Sequence, residues 1–420
     1  MIEAIRNAFR IPDLRKKILF TLAIIALYRV GAHVPVPGVD PVAVKGLVTE
    51  SGSALGLLNL FAGGALQNFA VFALGIMPYI TSTIIMQLLQ AVIPTIERWS
   101  KEGEAGQRKI TQTARYMTLG IALMESIGLL TVFQAPASAG GLGVSFDLLT
   151  EVVIIISLIA GTAMIMWMGE LITQRGIGNG MSLLIFASIV SRFPTTIVSS
   201  FKVHPWFMIL MLVISLLVVA AVVFMEGGQR RIPVQYAKRV VGRRVYGGVG
   251  TYIPLKVNGA NVIPIIFASS LLLFPSTIAR FFTDVQWLQD FSNALSEGWL
   301  YLTLYTILIV FFAYFYTALV FNPIETADNL RKNGGFIPGV RPGNPTAQYI
   351  ANVLNRITLP GAIFLAAIAV VPQLLFQFTN DPLVQAFGGT SILIMVGVAL
   401  ETMRQLESQL QMRHYDGFFK

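Results

Sequence analysis

The sequence predicts an all-α membrane protein, and its composition and its apolar runs both indicate this. Apolar residues make up 55% of the 420-residue chain and charged residues only 12%, whereas soluble domains carry roughly 25% charged residues. So few charges cannot cover a solvated surface, and the mean hydropathy of +0.70 agrees. The long apolar runs lack the alternation of a β-barrel strand, which favours helices that satisfy their backbone hydrogen bonds internally.

Ten windows are long and apolar enough for membrane helices, which need about 20 such residues. The first follows a basic N-terminal segment without a cleavage-site pattern, so we expect a retained span rather than a signal peptide. Prolines inside some of these windows predict kinks. The predicted spans are 18–34, 68–93, 112–134, 150–172, 181–201, 205–226, 261–281, 299–321, 351–376 and 386–405, with Pro78, Pro264, Pro275, Pro360 and Pro372 inside them.

The positive charges predict the orientation of the spans. Nearly all of the 30 Lys and Arg residues lie in or beside the terminal segments and the loops after even-numbered spans. Because cytoplasmic loops are enriched in these residues, both termini are expected in the cytoplasm of a cell whose inner (plasma) membrane holds the protein. The net charge of +9 would then attract anionic lipids or an anionic partner to one face. The five exceptions are Arg29, Lys45, Arg192, Lys202 and Arg280.

Two features depart from a plain helix bundle. A short apolar stretch at 51–67 contains Gly63 and Gly64; it is too short to cross a bilayer and would lie inside the protein or in a water-lined cavity. An external loop is an equally good interpretation of its composition. Glu125 lies in the middle of the third span, where a carboxylate indicates a functional site, with a protonated structural glutamate as the alternative.

The loops at 227–260 and 322–350 are long, and long ordered loops are usually functional. In the first, RIPVQYA and TYIPLKV alternate apolar and polar residues, which predicts short strands with glycine turns. An enzyme has little support, because the chain has no cysteine, no G-x-x-x-x-G-K-[ST] motif and no clustered histidines. RGIGNG at 175–180 indicates a helix C-cap and a tight turn. We therefore expect no catalytic residue, metal or cofactor.

A series of sequence strings resembles the SecY family. They recur in the order of that family from the second span to the C-terminus, so that the resemblance covers essentially the whole chain. The strings are FALGIMPYI at 72–80, TQRGIGNG at 173–180, EGGQRRI at 226–232, YAKR at 236–239, GRRVY at 242–246, NVIPIIFASS at 261–270, FNPIETADNL at 321–330, PGVRPG at 338–343, GGTSILI at 388–394 and MRHYDGF at 412–418.

The resemblance implies ten helices in two inverted five-helix halves, 1–204 and 205–420, that form an hourglass channel. Inverted repeats of this kind also occur in transporters. The channel would pass unfolded polypeptide across the membrane, or release apolar segments sideways into lipid. Its implied partners are SecE, SecG, the motor ATPase SecA and the ribosome.

The resemblance also implies an apolar ring at the narrowest point of the channel. Any single buried isoleucine is more simply explained by packing. Together, however, apolar side chains form a constriction that dewets and excludes ions without a charged filter. Five isoleucines match the ring positions, and the sixth is unassigned: Ile76, Ile80, Ile185, Ile266 and Ile394.

Further roles follow from the same resemblance. Residues 53–66 match the plug that fills the outer funnel of the idle channel, with Gly63 and Gly64 as its hinge. The second, third, seventh and eighth spans would frame a lateral gate, which Thr81 and Glu125 would hold closed through a hydrogen bond.

The long loops would bind the partners. Arg243 and Arg244 suit salt-sensitive contacts with ribosomal RNA phosphates, and Arg341 is the best candidate for coupling to the motor.

A secondary transporter is the alternative from another class, because it too combines many spans, broken helices and inverted repeats. It should carry several polar groups at mid-membrane to hold a solute, whereas here Glu125 is nearly alone. A passive lipid-embedded scaffold would leave the long basic loops and the segment at 53–66 without a purpose.

Overall fold

The structure, a computed structural model, is helical with a small antiparallel sheet. Arg243 and most of the predicted plug, namely 53–58 and 60, lie outside the described residues, as does the side chain of Arg244. The described residues are 9, 11–39, 44, 59, 61–134, 146–203, 205–236, 239–241, 244–246, 250–279, 285–287, 290–291, 294, 298–379 and 389–416.

Each of the ten predicted spans overlaps a helix in these ranges, and two shorter helices, α3 and α10, lie in loops. The helices are α1 (Pro12–Gly31), α2 (Met77–Val92), α3 (Pro94–Lys101), α4 (Glu104–Gln134), α5 (Leu148–Arg175), α6 (Gly180–Val203), α7 (Pro205–Gly227), α8 (Ile263–Ala279), α9 (Trp299–Val320), α10 (Pro323–Lys332), α11 (Asn344–Thr379) and α12 (Gly389–Asp416).

The number of spans stays a prediction. Among the described residues, three stretches are long and apolar enough to cross a bilayer by themselves: Leu148–Arg175, Trp299–Lys332 and Asn344–Pro372. Helices α2 and α3 pass the same test only as a pair, bent by 100° between Val92 and Pro94. Proline ends the preceding helix here because it lacks the N–H that the helix would need.

The second helix begins later than its apolar window predicted. The window starts at residue 68, but 62–76 forms successive turns, interrupted by a single β-bridge at Ala70, and α2 begins at Met77. Phe69 and Gly75 have φ angles of 41° and 60°, which a right-handed helix does not contain. Pro78 therefore lies in the first turn, where proline fits well, and not inside a helix as predicted; Pro264 likewise follows the first residue of α8.

The helices pack around one large apolar cluster, to which both halves of the chain contribute. Outside this cluster, large apolar side chains point away from the protein: Leu216 and Phe224 of α7 are 70% and 81% exposed, and Ile156 of α5 is 60% exposed. Large exposed apolar side chains of this kind are typical of helices that contact lipid.

The beginning and the end of the described chain meet. Leu14 near the start of α1 and Leu410 near the end of α12 are buried against each other, with Ile11, Ile18 and Leu406 around them. The N-terminal end of α1 and the C-terminal end of α12 therefore lie on the same side of the bundle.

The predicted strands of the first long loop are confirmed. Strand β1 (Gln229–Tyr236) pairs antiparallel with β4 (Thr251–Lys256), and Ile232 lies opposite Ile253. A smaller hairpin between them pairs β2 (Arg239–Val241) with β3 (Arg244–Tyr246).

The second long loop joins the same sheet. Strand β5 (Gly335–Phe336) pairs with the other edge of β1, giving the order β4-β1-β5. Apolar side chains of the sheet are buried against α10 and α11, so the two long loops form one folded unit. The buried residues are Ile232, Val234, Leu255, Leu330, Ile337, Ile350 and Leu354.

Candidate functional site

The five isoleucines predicted for the constriction lie in the same buried apolar cluster. Their side chains are 1% to 8% exposed. Ile76 lies just before α2, and the other four lie on α2, α6, α8 and α12, so that both halves of the chain contribute. Their arrangement as a ring stays a prediction. The positions are Ile76, Ile80, Ile185, Ile266 and Ile394.

The described end of the predicted plug is buried against this cluster. Ala62 and Ala65 are completely buried, and Leu66 is nearly so. The Gly64 N–H donates to the Asn59 carbonyl over 3.0 Å, and the Asn59 side chain accepts from the Gln67 N–H over 3.2 Å. These residues are folded inside the protein, so an external loop does not describe this part of the segment.

Gly63 and Gly64 both adopt left-handed backbone conformations, with φ angles of 64° and 87°. Glycine populates this region freely, whereas a residue with a Cβ atom does so at a cost. At Gly63 a Cβ atom would also lie 2.9 Å from the Ser188 Cα atom of α6, whereas at Gly64 its nearest neighbour would be 4.0 Å away. Gly63 is therefore restricted by conformation and by packing, and Gly64 by conformation alone.

Exchange of each glycine for alanine should separate these two restrictions. We expect Gly64→Ala to destabilise the protein by about 1–2 kcal/mol, the cost of a left-handed alanine. Gly63→Ala should cost about 1–3 kcal/mol more, because the added methyl group overpacks the contact with α6. Thermal unfolding in detergent measures the order, and equal midpoints for the two variants would contradict the packing at Gly63.

Arg29, near the end of α1, is paired. Its Nη1 atom donates a hydrogen bond to the Gly63 carbonyl oxygen over 2.9 Å. Beside it, the Tyr28 hydroxyl and the Ser188 hydroxyl of α6 lie 2.6 Å apart. The sequence could not show whether this cation is paired, because its partner lies 34 residues further along the chain and is a backbone oxygen.

The helices predicted for the lateral gate do pack together. Helix α8 contacts both α2 and α4, and α9 packs along α8. Thr81 is half-buried and its hydroxyl donates to the Met77 carbonyl of its own helix over 3.0 Å. Glu125 is half-buried on α4. The hydrogen bond between these two side chains stays a prediction.

Two polar contacts between neighbouring helices were missed by sequence reasoning. The buried Ser82 hydroxyl of α2 donates to the Ala114 carbonyl of α4. Arg115 of α4 binds Glu170 of α5 through two parallel hydrogen bonds of 2.7 and 2.5 Å, a fork-shaped geometry that fixes orientation. Arg115 and Glu170 are 55 residues apart, so no local sequence pattern predicts that they pair.

The loops present cations at the surface. Arg341 is exposed in the turn between β5 and α11, where its carbonyl accepts the Thr346 hydroxyl over 2.8 Å. The guanidinium of Arg231 stacks on the Tyr252 ring at 4.9 Å. The backbone of Arg244 belongs to β3, paired with Val241. Within the described ranges, no three His, Cys, Asp or Glu side chains are grouped so that they could hold a metal ion.

Comparisons with known proteins agree on one family. The family model for SecY matches residues 70–403. A relative from Streptomyces galbus, called protein translocase subunit SecY, is 52% identical over 437 residues and covers 100% of both chains.

Two solved structures have similar folds. One is a SecY protein whose plug domain is described as stabilising the closed state of the translocation channel and maintaining a membrane seal; its TM-score is 0.66 at 17% identity, over 93% of this chain and 91% of that one. The other is Sec61 in the canine ribosome-channel complex, with a TM-score of 0.62 at 16% identity over the same shares of the two chains. The length and identity of the sequence matches decide the assignment: the chain belongs to the SecY family.

Proposed function

We propose that this chain is the central subunit of a protein-conducting channel. The channel translocates unfolded polypeptides across the membrane and releases hydrophobic segments laterally into the bilayer. The observation that carries the proposal is the apolar centre, where isoleucines from both halves are buried together beside the end of the segment at 53–66.

An apolar constriction suits this task physically. It resists water and ions by dewetting, and side chains without directional bonds can yield around a moving chain of any sequence. Such a channel performs no chemistry, so the chain is not an enzyme. The energy for transport comes from an external motor ATPase or from the ribosome.

The seam for lateral release lies where α8 meets α2 and α4. These helices belong to the halves 1–204 and 205–420, so separating the halves opens this seam to lipid. A hydrogen bond between Thr81 and Glu125 would strengthen it, because polar partners surrounded by lipid have few alternatives.

Loss of the Glu125 carboxyl group should weaken the closed seam. We expect Glu125→Leu to raise the export of a substrate with a weakened signal sequence by several-fold, since interhelical hydrogen bonds in membranes contribute about 0.6–2 kcal/mol. Export of the same substrate with its intact signal is the control. Unchanged stringency in this variant would count against the gate contact.

The orientation rests on two observations. The ends of α1 and α12 meet at Leu14 and Leu410, which fits an even number of crossings with both termini on one side. The basic loops and the sheet follow even-numbered predicted spans, so the positive-inside rule places them in the cytoplasm. We infer that the membrane is the inner (plasma) membrane, whose cytoplasmic face such basic loops would occupy.

The partners follow from the basic surface and from the family. The loops at 227–260 and 322–350 bind SecA and the ribosome, with Arg243 and Arg244 on ribosomal RNA and Arg341 on the motor. A fold neighbour in a ribosome complex supports the ribosome as a partner. SecE clamps the two halves, SecG binds at the periphery, and anionic lipids contact the positive face.

Reconstitution into vesicles with SecE and SecA tests the function. Import of an unfolded precursor that requires ATP, without flux of small solutes, supports the channel. A secondary transporter would show solute flux without import, and a scaffold would show neither.

A further inference from the structure

We propose that Arg29 is a positioning residue for the resting channel: its guanidinium group holds the Gly63 carbonyl and so keeps the described end of the plug, 61–66, in its buried position. This inference rests on the proposed function, because it gives one residue the task of holding the segment that closes the channel.

The contact joins two elements that are remote in the chain. Arg29 lies in the last turn of α1, and the bond from its Nη1 atom to the Gly63 oxygen is 2.9 Å long. A charged donor makes such a bond roughly twice as strong as a neutral one. By contrast, Gly64 and Ala65 donate to the carbonyls of Asn59 and Ala62, within the segment itself.

The guanidinium group projects from a rigid support. The Ser188 hydroxyl donates to the Leu184 carbonyl over 2.9 Å, so it accepts its 2.6 Å contact from the Tyr28 hydroxyl, which ties α1 to α6. The Tyr28 ring also stacks on Phe72, with the ring centroids 5.8 Å apart.

The residues that follow the segment are fixed to the stretch just after α1 as well. The Val36 N–H donates to the Phe69 carbonyl, and the Val71 N–H donates to the Val34 carbonyl, both over 2.9 Å. Gly63 thus lies just before a stretch that is anchored by its backbone. A movement of the plug has to bend the chain between Gly63 and Phe69, and it has to break the bond to Arg29.

The hydrogen bond between Arg29 and Gly63 can break without a large energetic penalty. Arg29 is half-buried, and its long side chain can carry the released guanidinium group to water while its stem stays on apolar surface. Displacement of the plug therefore leaves no buried unpaired charge, which would be expensive. The Gly63 carbonyl accepts this bond while its residue is in a left-handed conformation, with φ at 64°.

Conductance of the resting channel tests the inference. In planar bilayers that contain the complex with SecE and SecG, Arg29→Leu should raise the ion conductance without substrate by about tenfold, since hydrogen bonds to charged groups contribute enough for such a factor. Arg29→Lys retains a cationic donor and should restore most of the seal. Val30→Leu alters a neighbouring, 63% exposed side chain and should leave the conductance unchanged.

A second readout reports on the segment directly. Ala65→Cys places a single thiol in this cysteine-free chain, at a completely buried position. Its modification by a membrane-impermeant maleimide should be several times faster with Arg29→Leu than with Arg29 or Arg29→Lys. Equal conductance and equal modification in all backgrounds would overturn the role of Arg29.

Precursor import by the same preparations separates this inference from the proposed function. Import with an unchanged resting seal in Arg29→Leu rejects the positioning role alone. Absence of import by the parent chain, with SecE and SecA present, rejects the channel itself. If Arg29→Leu no longer copurifies with SecE, it has lost its fold. The comparison of Arg29→Lys with the parent chain then decides. A raised resting conductance in Arg29→Lys would contradict the role of the cationic donor.

Discussion

A precursor arrested during transport will crosslink to cysteines placed at the buried isoleucines of the channel centre. Ile80→Cys, Ile185→Cys and Ile394→Cys can each be made in a chain that has no other cysteine. Because these positions lie on α2, α6 and α12, within one buried cluster, we expect a polypeptide that passes between the two halves to touch all three. Thiol crosslinking to a cysteine scanned along the precursor measures the contact.

Lipid-facing isoleucines provide the matched controls. Ile156 of α5 and Ile307 of α9 are 60% and 57% exposed, so Ile156→Cys and Ile307→Cys have the same chemistry on the outer surface. We expect yields at the three central positions to exceed those of the controls several times over. Crosslinks confined to the outer positions would exclude transport through the isoleucine cluster, and with it the proposed function.

Reversal of the charge at Arg341 should abolish transport by the motor while membrane insertion by the ribosome continues. Arg341 is exposed in a short turn, so glutamate can replace it without a packing defect. Placing a like charge against an acidic partner surface costs several kcal/mol, and about 1.4 kcal/mol already corresponds to a tenfold loss. ATP-dependent precursor import should fall at least about tenfold, and cotranslational insertion of a membrane protein should persist.

Arg331 offers the control for this experiment. It is 61% exposed at the end of α10 and lies 3.8 Å from Asp328 of the same helix. Arg331→Glu makes the same change of net charge in the same loop, and motor-driven import should remain near the parental level. Equal loss of import and insertion in Arg341→Glu would show a folding defect, and equal loss in both variants would show a general charge effect.

The parts of the fold that depend on local pattern could be predicted from the sequence. The apolar windows located the helices, since about 20 apolar residues in a row have few alternatives in lipid. The alternation in RIPVQYA and TYIPLKV predicted β1 and β4 correctly. Strand β5 was missed because two residues, Gly335 and Phe336, carry no periodicity and become a strand only by pairing with β1.

The parts that depend on the path of the chain could not be predicted. The late start of α2 follows from the turns at Phe69 and Gly75, within a window that hydropathy alone describes as continuous. The partner of Arg29 is a backbone carbonyl, and backbone atoms have no signature in a sequence. The five isoleucines came from resemblance to a family, and the structure adds that helices of both halves bury them together.

The pairing of β5 with β1 has a mechanical consequence. Arg341 follows β5 by five residues, and β5 is hydrogen-bonded to the strand that continues from α7, whose partner β4 leads into α8. We therefore expect a displacement of the turn at Arg341 to pass through the sheet to α8, one of the helices of the predicted gate. A partner bound at this surface would then act on the predicted gate without entering the bilayer.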